Sequence, residues 1–386
     1  MRTRWASFWW RAALTSVLLA SLGSRLFGAS NRALLIGISR YEDPRLRLQY
    51  AHRDAQELGK VLERSGYETS VLVDEQATRA QIYLAVAALR GRCQPDDTVL
   101  FFFSGHGMAC PGGKLVLLPA DAKQGVPDGG GLAVTDVMSL VCAMPGKVKL
   151  GFIDACHAGN SANPRELLEV LQNLGGARFA EGAIDAPESS SLCLAMSCQS
   201  REVSYEHQRL QMGVFTSCLI EALRGRGEWF PEKALTFDRV FDYLAEEVPR
   251  RAHELISAEC SQTPRKLVSA SKDPVVITLV AEDTDRLAAV WDSARGVLRQ
   301  LGLLETGKEG TPGAVRDLLR KHPWTRPMLD SARRFANEQW TSKQAGRLSV
   351  QGSKVSSAVA SDATGSTAKS LPASKLSSSS PSSTGR

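Results

Sequence analysis

Between residues 31 and 280 the chain alternates short, unbroken apolar runs with longer stretches whose apolar residues recur every three or four positions. The runs are ALLIGI (Ala33 to Ile38), TSVLVD (Thr69 to Asp74), TVLFFF (Thr98 to Phe103), VKLGFID (Val148 to Asp154) and SLCLAMS (Ser191 to Ser197). A strand buried on both faces reads this way, because neither alternating set of side chains meets water. Between them, AHRDAQELGKVLERSG places Ala51, Ala55, Leu58, Val61 and Leu62 on one helical face. Thr78 and Gln81 form a capping box that opens a helix over RAQIYLAVAALRGRC. VFTSCLIEALRG predicts a helix ended by Gly225, and FDRVFDYLAEEVPRRAHEL a helix broken at Pro249. KLVLLP reads as a short hairpin strand, and PVVITLV as a strand closing the sheet. Strands alternating with helices predict an α/β fold of three layers, a mostly parallel central sheet with helices on both faces.

The pattern changes beyond residue 280. Residues 283–345 carry a helical stripe through Leu287, Val290, Trp291, Ala294, Val297 and Leu298, expected as a small separate helical unit. From about Ser349 to the end, Ser, Ala, Thr, Gly and Lys predominate with almost no large apolar residue, which predicts a disordered Ser-rich tail over 349–386. The first 29 residues differ again. Arg2, Arg4 and Arg11 precede an apolar stretch from Ala12 to Leu22, and the small residues Ser21 and Gly23 follow at cleavage-site spacing. This predicts a signal peptide and an exported protein, in the periplasm, the cell envelope or the medium. Membrane attachment is expected only where the segment is not cleaved.

Composition narrows the partners. A net charge of +6 over 386 residues, with no basic run interleaved with aromatics, gives no reason to expect nucleic acid. None of the eight cysteines form a CxxC pair, and several sit inside apolar runs as small hydrophobes do.

The chemistry gathers after two of the strands. In an open parallel sheet, sites form at the carboxyl ends of strands. SGHG (Ser104 to Gly107) follows the third core strand and DACHAG (Asp154 to Gly159) the fourth, so both fall on one rim. A cysteine attacks carbonyl carbon as thiolate and needs a base or a positive partner close by. His106 and Cys156 supply that pair, and the glycines flanking His106 let the backbone turn and leave room for a substrate. The Gly107 N–H is a candidate donor to a developing oxyanion. His157 is a competing partner for the thiol, but successive side chains on a turn point apart. A metal site built from His106, Cys156 and His157 lacks the usual chelate spacing.

FFFSGHG and GFIDACHAG, together with ALLIGI upstream and LAMSCQSREVSYE and GVFTSCLIEALRG downstream, resemble the caspase-like cysteine peptidases, with the metacaspases and their bacterial relatives as the closest branch. Fifty residues separate His106 from Cys156, the separation found in caspases. The resemblance covers about Ala33 to Leu279. It implies a caspase-like fold, His106 as general base and Cys156 as nucleophile, acting on proteins or peptides. In metacaspases the specificity pocket is acidic, and its residues fall here on Asp54, Ser104 and Asp154, implying cleavage after Arg or Lys. Ala51 and Arg53 depart from the family's C-x-N-D pattern. Arg45 and Arg47 lie in the loop from which caspases take an aspartate-binding arginine. An aspartate-specific peptidase is therefore one alternative reading. An interaction protein that keeps the fold without the activity is another. Many metacaspases hold calcium in an aspartate cluster after the hairpin that follows SGHG. This chain has only the scattered Asp121, Asp128 and Asp136 there, so no cofactor is expected. The stretch from Asn160 to Ser190 has two basic residues, Arg165 and Arg178. Arg165 opens the helix-patterned RELLEVLQNL, whereas Arg178 lies in a stretch without helical period and is the expected self-cleavage point.

Overall fold

A computed structural model of the chain describes residues 29–110, 115–123, 130–155, 191–199, 202–228, 233–269, 273–304 and 321–343. The expected signal peptide except Ala29, Cys156 and His157, RELLEVLQNL, Arg178 and the Ser-rich tail lie outside the described residues. The chain forms two compact units, Met1–Asp292 and Ser293–Arg386.

The strands are β1 (Asn31–Gly37), β2 (Tyr67–Val73), β3 (Thr98–Gly105), β4 (Gly107–Ala109), β5 (Leu115–Leu117), β6 (Leu132–Ala133), β7 (Val148–Ala155), β8 (Ser191–Met196), β9 (Glu206–His207), β10 (Met212–Gly213), β11 (Ala234–Thr236), β12 (Arg265–Ser269) and β13 (Val275–Thr278). The helices are α1 (Ala51–Arg64), α2 (Arg79–Arg92), α3 (Val134–Cys142), α4 (Val214–Leu223), α5 (Phe237–Leu255) and α6 (Ala281–Gln300). Six strands make the central sheet in the order β12-β8-β7-β3-β1-β2, all parallel except β12, which runs antiparallel to β8.

The unbroken apolar runs serve two cores at once. Leu34, Ile36, Phe101 and Phe103 point into one core with residues of α2 and α3. Ala33, Leu35, Leu100 and Phe102 point into the other, against α1, α4 and α5. This is the period-two alternation of a strand covered on both sides. Each fully buried Leu, Ile or Phe contributes roughly 1.5–3 kcal/mol.

Two expectations are corrected. PVVITLV does not close the central sheet. β13 pairs antiparallel with β11 in a separate ribbon, and β12 forms the edge instead. The run is apolar because Val276, Ile277 and Leu279 face the second core from that ribbon. Pro249 does not break its helix, since α5 continues through it. The proline forfeits one backbone bond. The buried Leu244, Val248 and Ala252 and the ion pairs of Arg250 with Glu247 and Glu254 hold the turns around it.

Register positions the rim. Gly37 pairs with Ser104, and Ser104 with Asp154, so the ends of β1, β3 and β7 stand in one row. A Cβ on Gly37 would lie 2.3 Å from the Ala51 carbonyl oxygen. The absent side chain lets the first turn of α1 rest on the end of β1, and that turn carries Asp54.

At the opposite end of β7, Lys149 is 1 % exposed, and among the described residues its Nζ has no hydrogen-bond partner. Burial lowers its pKa from the ordinary 10.5, opposed in part by the Cys142 and Cys93 thiols. A lysine depressed in the folded state costs stability at every pH below its folded pKa, and the cost fades as pH rises to 10.5. Lys149→Met, of similar length, is therefore expected to raise the urea midpoint at pH 7. The gain should shrink as pH climbs toward 10.5. A midpoint lowered at pH 7, or a gain independent of pH, would show that Lys149 is not a strained charge.

Candidate active site

The rim brings together residues far apart in sequence. β3 and β7 pair as far as Gly105 and Ala155. The next residue in each strand's sequence is His106 and Cys156.

His106 is fixed from three directions. Its backbone N–H donates to the Tyr41 hydroxyl at 2.8 Å, and the two rings lie 5.3 Å apart at a 45° tilt. A Cβ on the preceding Gly105 would come within 2.7 Å of that hydroxyl, which explains the glycine at this position. The His106 Nε2 lies 2.9 Å from the Leu46 carbonyl oxygen. A carbonyl only accepts, so this contact assigns the neutral ring its proton on Nε2 and leaves the Nδ1 lone pair as the base. Burial lowers the His106 pKa from 6.5, against the Leu46 carbonyl and the Glu206 charge, which raise it. The neutral base form thus prevails at pH 7.

Leu46 belongs to a short 3-10 turn over Pro44–Leu46. Asp43 caps it by accepting from the Arg45 N–H, Pro44 presets its first φ, and the Arg45 guanidinium folds back onto Asp43. Gly107 opens β4. The Leu118 N–H donates to the His106 carbonyl at 2.9 Å, and Gly107 pairs with Leu117. In an antiparallel ladder hydrogen-bonded and non-bonded pairs alternate, so the Gly107 N–H is directed away from β5.

Beside the histidine, Asp54, Ser104 and Asp154 meet. Ser104 Oγ donates to Asp54 Oδ2 at 2.7 Å, and the Gly213 N–H donates to Asp54 Oδ1 at 2.9 Å. Asp154 Oδ2 accepts from the Thr216 N–H at 3.1 Å and from the Thr216 hydroxyl at 2.6 Å. Asp154 Oδ1 accepts from the Ser204 hydroxyl, which in turn accepts from Gln262 Nε2 at 2.9 Å. Both carboxylates are buried, at 1 % and 5 % exposure. They border the same small volume: a Cβ on Gly213 would lie 2.6 Å from Asp154 Oδ2 and 3.0 Å from Asp54 Oδ2.

Among the described residues every donor to this pair is neutral. Among the described residues no Lys, Arg or His forms an ion pair with either carboxylate. Arg45 pairs with Asp43, and Arg53 donates to Gln211. Burial pushes the Asp54 carboxyl well above its ordinary 3.8, and the Asp154 charge adds to the shift. Burial likewise raises Asp154.

The sequence pointed to Asp54, Ser104, Asp154, His106 and Gly107; the structure brings Asp54, Ser104 and Asp154 together, and His106 and Gly107 follow Ser104 in the chain. Cys156 and Arg178 lie outside the described residues. Gly213, Ser204, Thr216, Gln262, Tyr41 and the Leu46 carbonyl were not foreseen. Ser204, Gly213 and Thr216 lie within SYE and GVFT, segments of the downstream motifs, and that was the available signal. Asp121 accepts from the Arg79 N–H at 2.8 Å and so serves the start of α2, and Asp136 lies in the first turn of α3. Asp128 is outside the described residues. Among the described residues no group of three His, Cys, Asp or Glu is arranged to hold a metal ion, and no helix is long and apolar enough to cross a membrane.

None of the curated proteins compared matches the sequence. Among solved structures, a protein of Geobacter sulfurreducens is 18 % identical over 65 % of this chain and 98 % of its own, with a TM-score of 0.45. Caspase-1 of Spodoptera frugiperda is 17 % identical over 64 % of this chain and 91 % of its own, also with a TM-score of 0.45. The model of the caspase-domain peptidase family matches residues 30–273. By that match, the chain belongs to the caspase-domain family of peptidases.

Proposed function

We propose that the chain is an exported cysteine endopeptidase that cuts after Arg or Lys, with Cys156 as nucleophile and His106 as general base. The observation that carries the specificity is the pair of buried carboxylates, Asp54 and Asp154, which converge on Gly213 and, among the described residues, accept from neutral donors only. Buried charge is costly unless it is paired. A guanidinium or ammonium brought up to these carboxylates would supply a cationic partner, whereas an aspartate side chain would add a further negative charge. Arg45 is engaged with Asp43, which argues against the aspartate-specific alternative.

In the proposed reaction, His106 Nδ1 takes the Cys156 thiol proton while the Leu46 carbonyl holds the ring through Nε2–H. The thiolate attacks the scissile carbonyl carbon, and the Gly107 N–H donates to the resulting oxyanion. His106 then delivers its proton to the leaving amine, giving a thioester that water hydrolyses with the same base. General base catalysis of this kind is worth about 10²- to 10⁴-fold. The N-terminal segment, Met1 to Ala29, is proposed as the export signal. Asp121, Asp128 and Asp136 give no ground for a calcium requirement.

Cys156→Ala and His106→Ala are each expected to abolish turnover of an arginyl fluorogenic peptide while leaving the far-ultraviolet circular dichroism unchanged. Wild-type turnover by Cys156→Ala would refute the mechanism. An inactive wild type whose Cys156 reacts with iodoacetamide no faster than the other cysteines would favour the interaction-protein reading.

Asp154→Asn should lower kcat/KM for arginyl peptides by about 10²- to 10⁴-fold, from the roughly 3–5 kcal/mol lost when a buried charge pair is broken. Gly213→Ala fills the volume between the carboxylates and should act in the same direction. Equal cleavage of arginyl and aspartyl peptides by the wild type would sink the acidic-pocket reading.

Self-processing is proposed at Arg178. The purified wild type should yield a fragment beginning at Phe179 that is absent from Cys156→Ala. An intact, fully active wild type, or the same fragment from both proteins, would exclude it.

A further inference from the structure

A third carboxylate stands beside the pocket and takes no part in the chemistry above. Glu206 lies in β9, paired with Gly213 of β10. Its Oε2 accepts from the Gln49 N–H and its Oε1 from the Tyr50 N–H, each at 2.9 Å. One carboxylate therefore grips two consecutive backbone amides just before α1 begins at Ala51. Such bonds are charge-assisted, and a negative group at this end of a helix is further favoured by the helix dipole.

The gripped segment is the one that orients the base. Leu46 stands three residues before Gln49, and its carbonyl holds His106 Nε2. Between them, the Leu48 N–H donates to the Ser39 carbonyl at 2.9 Å. The segment from Leu46 to Tyr50 is thus anchored at one end to the strand side of the site and at the other to Glu206. The partner of Glu206 in the hairpin, Gly213, donates its N–H to Asp54 in the pocket. A path runs from Asp54 to Gly213, across the hairpin by the Val214 N–H donating to the Tyr205 carbonyl at 2.8 Å, and on through Glu206 to the Leu46 segment and so to His106.

We propose that Glu206 is a positioning residue: its carboxylate clamps the backbone that aims His106 and ties that backbone to the hairpin bearing the pocket glycine. The proposal rests on the peptidase reading, in which His106 is the base. Two acceptor oxygens are what the task requires. A glutamine at 206 offers one acceptor and turns an NH₂ toward the second amide, so it keeps half of the clamp. An alanine keeps none. The charge of Glu206 also favours the imidazolium form of His106, as its proximity requires.

The test uses the full-length protein with ¹⁵N-labelled histidine, the ring signals of His106 being identified from a His106→Gln sample. At pH 8 the wild type should show a protonated Nε2 and a bare Nδ1. Glu206→Ala should move both toward the averaged values of an unconstrained ring, with Glu206→Gln between them. Arg53→Ala, which cuts the separate tie from α1 to Gln211 in the same hairpin, should leave the His106 signature in place. In kinetics, Glu206→Ala should lower kcat for an arginyl peptide by about 10²-fold with KM changed less than about threefold, the effect of a misaimed catalytic group. A Glu206→Ala or Glu206→Gln protein with the wild-type His106 signature overturns the proposal, as does an Arg53→Ala protein that loses the signature equally. A wild type with no peptide turnover would count against the peptidase reading alone, because the ring signals still decide the role of Glu206.

Discussion

Two carboxylates removed from water in one small volume are the constraint around which the rest of the site is arranged. Asp54 comes from the first turn of α1, Asp154 from the end of β7, and the Cα of Gly213 lies against both. Holding them there takes five neutral donors: two hydroxyls and an amide on Asp154, and one hydroxyl and one amide on Asp54. Hydrogen bonds to a charged acceptor are worth roughly 1.5–3 kcal/mol each, and the desolvation of an unpaired buried ion costs more than several of them. Neutral donors therefore hold the carboxylates in place without neutralising them. Gly37 at the end of β1, which admits α1, and Gly213 in β10, which admits both oxygens, are consequences of the same crowding.

The sheet does the long-range work. Parallel strands end on one edge, and the register of β1, β3 and β7 sets Gly37, Ser104 and Asp154 side by side. β3 and β7 pair as far as Gly105 and Ala155, and His106 and Cys156 are the next residues in the sequence. The apolar runs of these strands are unbroken because each must fill two cores. That double burial makes the strand ends rigid enough to aim side chains.

The same double burial made the fold legible in the sequence. ALLIGI, TVLFFF and VKLGFID had no polar face and could only be central strands, and their order fixed which motifs shared a rim. PVVITLV misled for a related reason. An apolar run reports burial on both faces but not which neighbour supplies its hydrogen bonds, and β13 found its partner in β11. In the site, side chains with chemistry of their own could be read, and backbone could not. The group that fixes His106 is the carbonyl of Leu46, which any residue would offer, so its identity carries no signal. Gly213, Ser204 and Thr216 reach the pocket from a hairpin and helix 50 to 159 residues away in sequence. Their residue types are common, and only tertiary structure makes them pocket residues.

The paired carboxylates also set the sign of the site's response to pH. A carboxyl whose folded pKa is raised binds its proton more tightly when folded, so its stabilising effect is complete below 3.8 and is lost as pH rises through the raised folded value. Asp54 and Asp154 both shift in this direction, each chiefly through burial. The ionised pair is thus less favoured inside the folded protein than in water. In the proposed cleavage after Arg or Lys, a basic side chain beside the pair would stabilise its ionised form and lower both pKa values. In that proposed reaction the desolvation cost would become part of the free energy by which positive charge is selected over neutral or negative groups.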